Sequence, residues 1–278
     1  MKPAVVMQSD FGIDSGLVAC MHGICKIVDP ELEIHDITHT IPAFDIKAAS
    51  HCLQYTVPCW PSGTVFVSVI DPGVGTGRKA CVARLKNGSY IVTPDNGSLA
   101  YLKVMTGIDQ IRVIDEERHR YPETKDIHVF HGRDIFSYCA AELASGKITY
   151  EEVGEEYPVE EIVMLDIKQA SVSKHHVYAE IQGSDPFGSV ELSVSNQQFS
   201  EAGFKLGDIL EVIITCENME IFHKNVPYEK SFGYVPEGDE VIFKDLALYV
   251  TLACNQDSFV KKYKIDLNKK YEIEIKMI

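Results

Sequence analysis

Hydrophobic and polar positions in the first half of the chain alternate between two rhythms. Residues 4–7, 34–37 and 64–70 are short apolar runs rich in β-branched residues, and such runs read as buried strands. Between them, residues 16–28 carry Leu17, Val18, Met21, Ile24 and Ile27 at roughly helical spacing, and residues 46–57 predict a second helix. Residues 80–85 and 90–93 flank Lys86-Asn87-Gly88-Ser89, which reads as a hairpin turn. A helix start over 98–106, a short strand over 111–114 and a charged, solvated loop or short helix over 115–126 follow. An amphipathic helix is expected over 135–145, closed by Gly146 as its C-cap. This alternation predicts an α/β domain with a mixed or parallel sheet and helices.

Beyond Glu151 the rhythm changes. Helix signals fade, and short alternating strands are predicted at 176–182, 189–194, 209–215, 239–243, 246–253 and 271–277, separated by turns rich in Gly, Asn, Asp and Pro. The expectation is an all-β, barrel-like second domain. The domains are set at 1–160 and 171–278, with the boundary between about 155 and 172.

At 278 residues the chain can bury two cores, and no apolar run is long enough to span a bilayer. The N-terminus enters a strand pattern at once and lacks a signal-peptide core, so a cytoplasmic location is expected. The eight cysteines are scattered without a CxxC pair, which suits buried reduced thiols better than disulfides or zinc. A net charge of -15 argues against nucleic acid as a partner and is compatible with a small cationic ligand.

Four polar clusters fall at predicted strand ends: Asp10, Asp71 with Arg78, Asp95-Asn96, and His131 with Arg133-Asp134. Parallel strands present their C-terminal ends on one side, so these clusters suggest a shared crevice, although Asp and Asn also serve as caps and turns. Asp71-Pro72-Gly73-Val74-Gly75-Thr76-Gly77-Arg78 brings an acid, a glycine turn and a permanent cation together. It lacks the Lys-Ser/Thr ending of a phosphate loop, and a plain turn with an ion pair is the simpler alternative. His35, Asp36 and His39 have the residue types of a metal site, but strand alternation separates His35 from Asp36, and no later Cys/His pair completes a familiar set. A structural role is expected there, and His175-His176 is expected to be exposed at a domain edge. In the second domain, Phe187 sits in a Gly- and Pro-bearing turn, where packing inward is the simple alternative to ligand contact.

Taken together, Ser9-Asp10-Phe11-Gly12, Asp36-Ile37-Thr38-His39 with Ile41-Pro42 and Phe44-Asp45, Asp71-Pro72-Gly73-Val74-Gly75, Pro94-Asp95-Asn96-Gly97, Phe130-His131-Gly132-Arg133-Asp134 and Phe187-Gly188 span nearly the whole chain. The set resembles the S-adenosylmethionine hydroxide adenosyltransferases, relatives of the fluorinase and chlorinase enzymes. The resemblance implies an N-terminal α/β domain, a C-terminal β-barrel and a homotrimer that binds S-adenosylmethionine between subunits. It implies attack of water or hydroxide on the ribose C5′, releasing L-methionine and adenosine without a metal or other cofactor. Asp71, Arg78 and His131 carry over as the catalytic set. Asp10 is implied as the ribose anchor, with Phe44 and Phe130 lining the sugar pocket. Phe187, Ser189 and Asn255 fall on the adenine side, and Val74, Asp95, Asn96 and Gly132 are further substrate-binding positions. Ser189 departs from the Asn that members often carry, and Ser184 with Asp185 shifts their usual acid by one position. Halide-using relatives carry Tyr in place of the Asp71 acid and lack the histidine, so water is favoured over halide. The alternatives are a halogenase-type substitution, a non-catalytic nucleoside-binding protein, and a metal hydrolase built on His35, Asp36 and His39.

Overall fold

A computed structural model describes residues 2–245 and 248–278; Leu246 and Ala247, where one predicted strand begins, lie outside the described residues. The chain divides into two compact units, Met1–Asp166 and Ile167–Ile278. Among the described residues no helix is long and apolar enough to cross a membrane.

The first unit is built on a six-stranded sheet. In chain order it contains β1 (Val5–Ser9), α1 (Leu17–Val28), β2 (Ile34–Thr38), α2 (Ile46–Thr56), β3 (Val65–Val69), β4 (Ala80–Leu85), β5 (Tyr90–Pro94), α3 (Ala100–Met105), β6 (Ile108–Val113) and α4 (Tyr138–Ser145). The sheet order is β2-β1-β3-β5-β4-β6. β2, β1, β3 and β5 run parallel, while β4 is antiparallel to both its neighbours. The sheet is therefore mixed, as expected. Alternation along the strands feeds two cores: Val5, Met7, Val65 and Val67 face one side, and Val6 and Phe66 the other.

Helix α1 buries Met21, Ile24, Cys25 and Val28, a stripe at i, i+3, i+4, i+7. Ile27, expected on that stripe, is exposed instead. Asp45 caps α2 by accepting the Ala48 N–H at 2.9 Å. The β4–β5 hairpin and the Gly146 C-cap, with φ of 75°, form as predicted. Three expectations change. Segment 127–130 is not a strand, so His131 does not sit at a strand end. The helix runs in through a π-helical turn, Gly132–Ser137. The charged segment 115–126 is not simply solvated: His119 is buried, held between Glu142 at 2.8 Å and the Glu152 carbonyl at 2.9 Å.

The second unit contains β7 (Ser171–Ser173), β8 (His176–Ser184), β9 (Val190–Ser195), α5 (Asn196–Glu201), β10 (Ile209–Cys216), β11 (Met219–Pro227), β12 (Glu240–Lys244), β13 (Tyr249–Cys254), α6 (Phe259–Lys262) and β14 (Tyr271–Met277). Its sheet order is β11-β10-β14-β8-β9-β13-β12, with β7 added on β8. Every pairing is antiparallel. The two ends nearly meet, because Tyr228, just past β11, bridges Ile242 of β12, and the Glu229 N–H donates to the Ile242 carbonyl at 2.9 Å. The result is a nearly closed barrel whose inward residues, among them Val177, Leu192, Val212 and Ile275, form one core. β11 and the two short helices were not legible in the sequence pattern. His175 and His176 are half-buried rather than exposed, and His176 pairs with Glu274 at 2.7 Å.

Candidate active site

β1, β3 and β5 are adjacent and parallel, so Asp10, Asp71 and Asp95 emerge from the same edge of the sheet. The three acids do different things there. Asp71 opens the glycine turn after β3. Its carboxylate receives Arg78 Nε at 3.0 Å on each oxygen and Arg78 Nη2 at 2.5 Å. The same Nη2 donates to His131 Nδ1 at 2.8 Å. The side chains of Asp71 and Arg78 are 5% and 9% exposed, so water screens this forked pair little. Asp71, Arg78 and His131 thus form one buried chain, although 53 residues separate Arg78 from His131.

Arg78 keeps one nitrogen in reserve. Nη1 is buried and has no hydrogen-bond partner among the described residues, although Glu116 forms a long ion pair with it at 4.0 Å. A buried guanidinium N–H without an acceptor is costly, and an oxygen species arriving beside it would be bound by charge and hydrogen bond together.

His131 is biased towards its neutral form. Burial and the Arg78 cation lower its pKa below the ordinary 6.5, Glu116 works in the opposite direction, and Arg120 adds to the lowering. Arg120 lies at 3.4 Å from Nε2 and is itself fixed by Glu116 at 3.0 Å and the Ile127 carbonyl at 3.0 Å. The 2.8 Å contact assigns the Nδ1 lone pair to Arg78. Arg120 and Glu116 were not foreseen; their i, i+4 spacing was visible, but nothing in a charged run marks one pair as buried.

The glycine turn is shaped for close approach. Gly75 adopts φ of 73°, and a Cβ there would lie 2.8 Å from the His128 carbonyl oxygen. Val74 sits in the middle of this turn, its N–H donating to the Asp71 carbonyl at 3.2 Å. Gly132 packs against Phe11 and Val69, where an added Cβ would lie 3.1 Å from the Phe11 ring and 3.2 Å from Val69, and Phe130 meets Phe11 edge-on at 5.7 Å. These contacts bring the Asp10 loop, the end of β3 and the His131 segment together.

Asp10 accepts the Phe44 N–H at 2.9 Å. Phe44 has φ of 67° and is 70% exposed, a bulky residue in left-handed backbone beside the crevice. Asp95 is turned inward. Its two oxygens accept from the Tyr157 hydroxyl at 2.8 Å and the Val163 N–H at 3.0 Å. Asn96 donates to the Ile70 carbonyl at 2.8 Å and accepts from the Ser98 hydroxyl at 2.8 Å, so it pins the end of β3 directly before Asp71.

In the second unit Phe187 does not pack inward; it is 79% exposed at the tip of its turn. Asp185 folds that turn by accepting the N–H groups of Phe187 and Ser189, both at 2.9 Å. The acid at the shifted position is thereby used locally. Ser189 and Asn255 are buried, and Asn255 donates to the Val235 carbonyl at 2.8 Å. The two segments adjoin: the Val260 N–H donates to the Gly188 carbonyl at 3.0 Å, and Gly188 lies against Ser258.

The metal-hydrolase set does not assemble as His35, Asp36 and His39. His35 turns to the Trp60 ring at 5.3 Å, and Asp36 is met by His22 and His39.

Comparison with known proteins agrees with this architecture. Residues 5–154 match the SAM hydroxide adenosyltransferase N-terminal domain, and residues 179–272 the C-terminal domain. A protein of Methanocaldococcus jannaschii named (R)-S-adenosyl-L-methionine hydrolase is 34% identical over 77% of this chain and 74% of its own length. A fluorinase of Nocardia brasiliensis is 26% identical over 99% of this chain and 97% of its own. The crystal structure of an uncharacterized conserved protein from Thermotoga maritima superposes with a TM-score of 0.87 at 31% identity, covering 98% of this chain and 99% of that one. With both domain models matched in order and the Asp71–Arg78–His131 chain between the first unit's loops, this protein belongs to the SAM hydroxide adenosyltransferase family.

Proposed function

We propose that this protein hydrolyses S-adenosyl-L-methionine, water attacking the ribose C5′ to give adenosine and L-methionine. The observation that carries the reading is the buried Asp71–Arg78–His131 chain, whose Arg78 Nη1 has no hydrogen-bond acceptor among the described residues. The sulfonium departs as a neutral thioether, taking the C5′–S electron pair, so no general acid, metal or other cofactor is required. The difficulty lies in the nucleophile. Arg78 stabilises developing hydroxide, Asp71 fixes the guanidinium, orients the oxygen and takes up its proton, and neutral His131, accepting from Arg78 through Nδ1, holds the guanidinium in place. Asp10 anchors the ribose, and Phe44 and Phe130 flank the sugar.

Halide substitution is the second reading, prompted by the fluorinase relatives. An anion at Arg78 Nη1 would sit close to the Asp71 carboxylate and be repelled by it. The adenine side belongs to Phe187, Ser189 and Asn255 of a neighbouring copy in a homotrimer, an assembly that native mass spectrometry tests, and the protein acts in the cytoplasm.

Incubation with S-adenosyl-L-methionine, with and without chloride, tests the reaction. Adenosine and methionine in equal amounts are expected in both, with turnover lowered about 10²–10³-fold in Arg78→Lys. A 5′-chloro nucleoside would overturn the choice of water. Tight binding without methionine release would make the protein a binder only.

A further inference from the structure

The first unit brings together a second group of ligand atoms, outside the Asp71 centre. His22 projects from α1, Asp36 from β2 and His39 from the loop after β2. One ligand atom from each lies within 4.8 Å of the others. Asp36 Oδ1 is 2.8 Å from His22 Nε2 and 3.0 Å from His39 Nε2.

Three properties separate this group from an ordinary surface contact. The first is charge. Among the described residues Asp36 forms ion pairs with these two imidazoles only, and no Lys or Arg joins them. No permanent cation therefore offsets its negative charge. The second is orientation. His39 is buried, and its Nδ1 lies 2.7 Å from the Oγ of Ser9, which is also buried. That contact holds Nε2 towards Asp36 and His22, as the outer partners of ligating histidines do. The third is access. His22 and Asp36 are 33% and 39% exposed, so the group opens to solvent on one side and is anchored on the other.

We propose that His22 Nε2, His39 Nε2 and an Asp36 oxygen bind one divalent transition-metal ion of the zinc class, at a site separate from the hydrolytic centre and outside its chemistry. Two imidazoles and a carboxylate are a donor set that suits such ions. On binding, each neutral ring carries its single proton on Nδ1 and offers the Nε2 lone pair to the metal; His39 then donates Nδ1–H to Ser9 Oγ. Ser9 Oγ also receives the Phe11 N–H at 3.3 Å, and the His39 carbonyl receives the Gly12 N–H at 2.8 Å. The bound ion therefore braces the loop that carries Asp10.

The test uses the full chain without a tag, stripped with chelator and then titrated with Zn²⁺ by calorimetry and with Co²⁺ by visible absorption. One equivalent is expected to bind, with a Co²⁺ d–d band, and Zn²⁺ is expected to raise the Tm. His22→Ala and Asp36→Asn should each weaken binding by at least about tenfold and abolish the Tm shift, while leaving the circular dichroism unchanged. Unaltered affinity in both variants, or the absence of a saturable equivalent, would overturn the proposal. None of these readouts depends on S-adenosyl-L-methionine turnover, so the two proposals fail separately.

Discussion

At the residue scale the site turns on the protonation of His131. Its pKa is lowered by burial and by Arg78, so the ring stays neutral until the pH falls below the ordinary imidazole value. Activity that needs neutral His131 is thus retained at pH 6.5 and lost only as pH falls through the lowered value. Two neighbours should move that acid limb in opposite directions. Glu116→Gln removes an acid that raises His131, so the limb shifts further down. Arg120→Gln removes a cation that lowers it, so the limb shifts up towards the ordinary value. The pH dependence of kcat/KM in the two variants checks this, and shifts of the same sign would contradict it. The Asp71–Arg78 loop was legible in the sequence because it joins an apolar strand to an acid, glycines and an arginine. His131 was found as a motif, yet its partner Arg120 was not, because a buried arginine and a solvated one look alike in a charged run.

At the scale of elements, Asn96 illustrates how one strand end is set by the next. Its side-chain N–H to the Ile70 carbonyl fixes the last turn of backbone before Asp71. Asn96→Ala should cost about 1–3 kcal/mol of stability by stranding that carbonyl, and should lower kcat more than it raises KM, since Asp71 loses its alignment. Denaturant unfolding and steady-state kinetics measure the two effects. His119 ties segment 115–126 to α4 through Glu142, and that hydrogen bond raises its pKa. A raised histidine gives its full stabilisation below the unfolded value of about 6.5 and loses it as pH rises through the folded value. The Tm advantage of the natural protein over His119→Gln should therefore shrink with rising pH; an advantage that grows would refute the assignment. Strand and helix positions in this unit were readable because period 2 and period 3.6 are set by local geometry. The π-helical entry to α4 was not, because it depends on Gly132 packing against Phe11 and Val69, residues far away in sequence.

At the scale of the whole molecule, each unit carries its own core. The buried residues of the barrel core all lie from Val177 onward, with Ala170 and Val172 packed against them, and the barrel's sheet ends nearly meet at Tyr228 and Ile242. Residues 167–278 expressed alone should therefore unfold cooperatively, with a β-type circular dichroism spectrum and one thermal transition. A non-cooperative melt would show that the barrel needs the first unit. The antiparallel character of this unit was legible from alternation, but its closure was not, because β11 mixes polar and apolar residues on a strand with only two buried positions.

The inward turn of Asp95 also determines where the first unit ends as a folding object. Homology places the N-terminal domain's limit at residue 154, yet the two groups that hydrogen-bond to Asp95, the Tyr157 hydroxyl and the Val163 N–H, come after it. A fragment cut at 154 would take both of these donors away from the Asp95 carboxylate, a loss of about 1.5–3 kcal/mol for each bond. One that runs through Val163 keeps the acid covered. The tail that resembles a linker is thus a clasp, and fragment design for this unit should treat residues 155–163 as part of the domain.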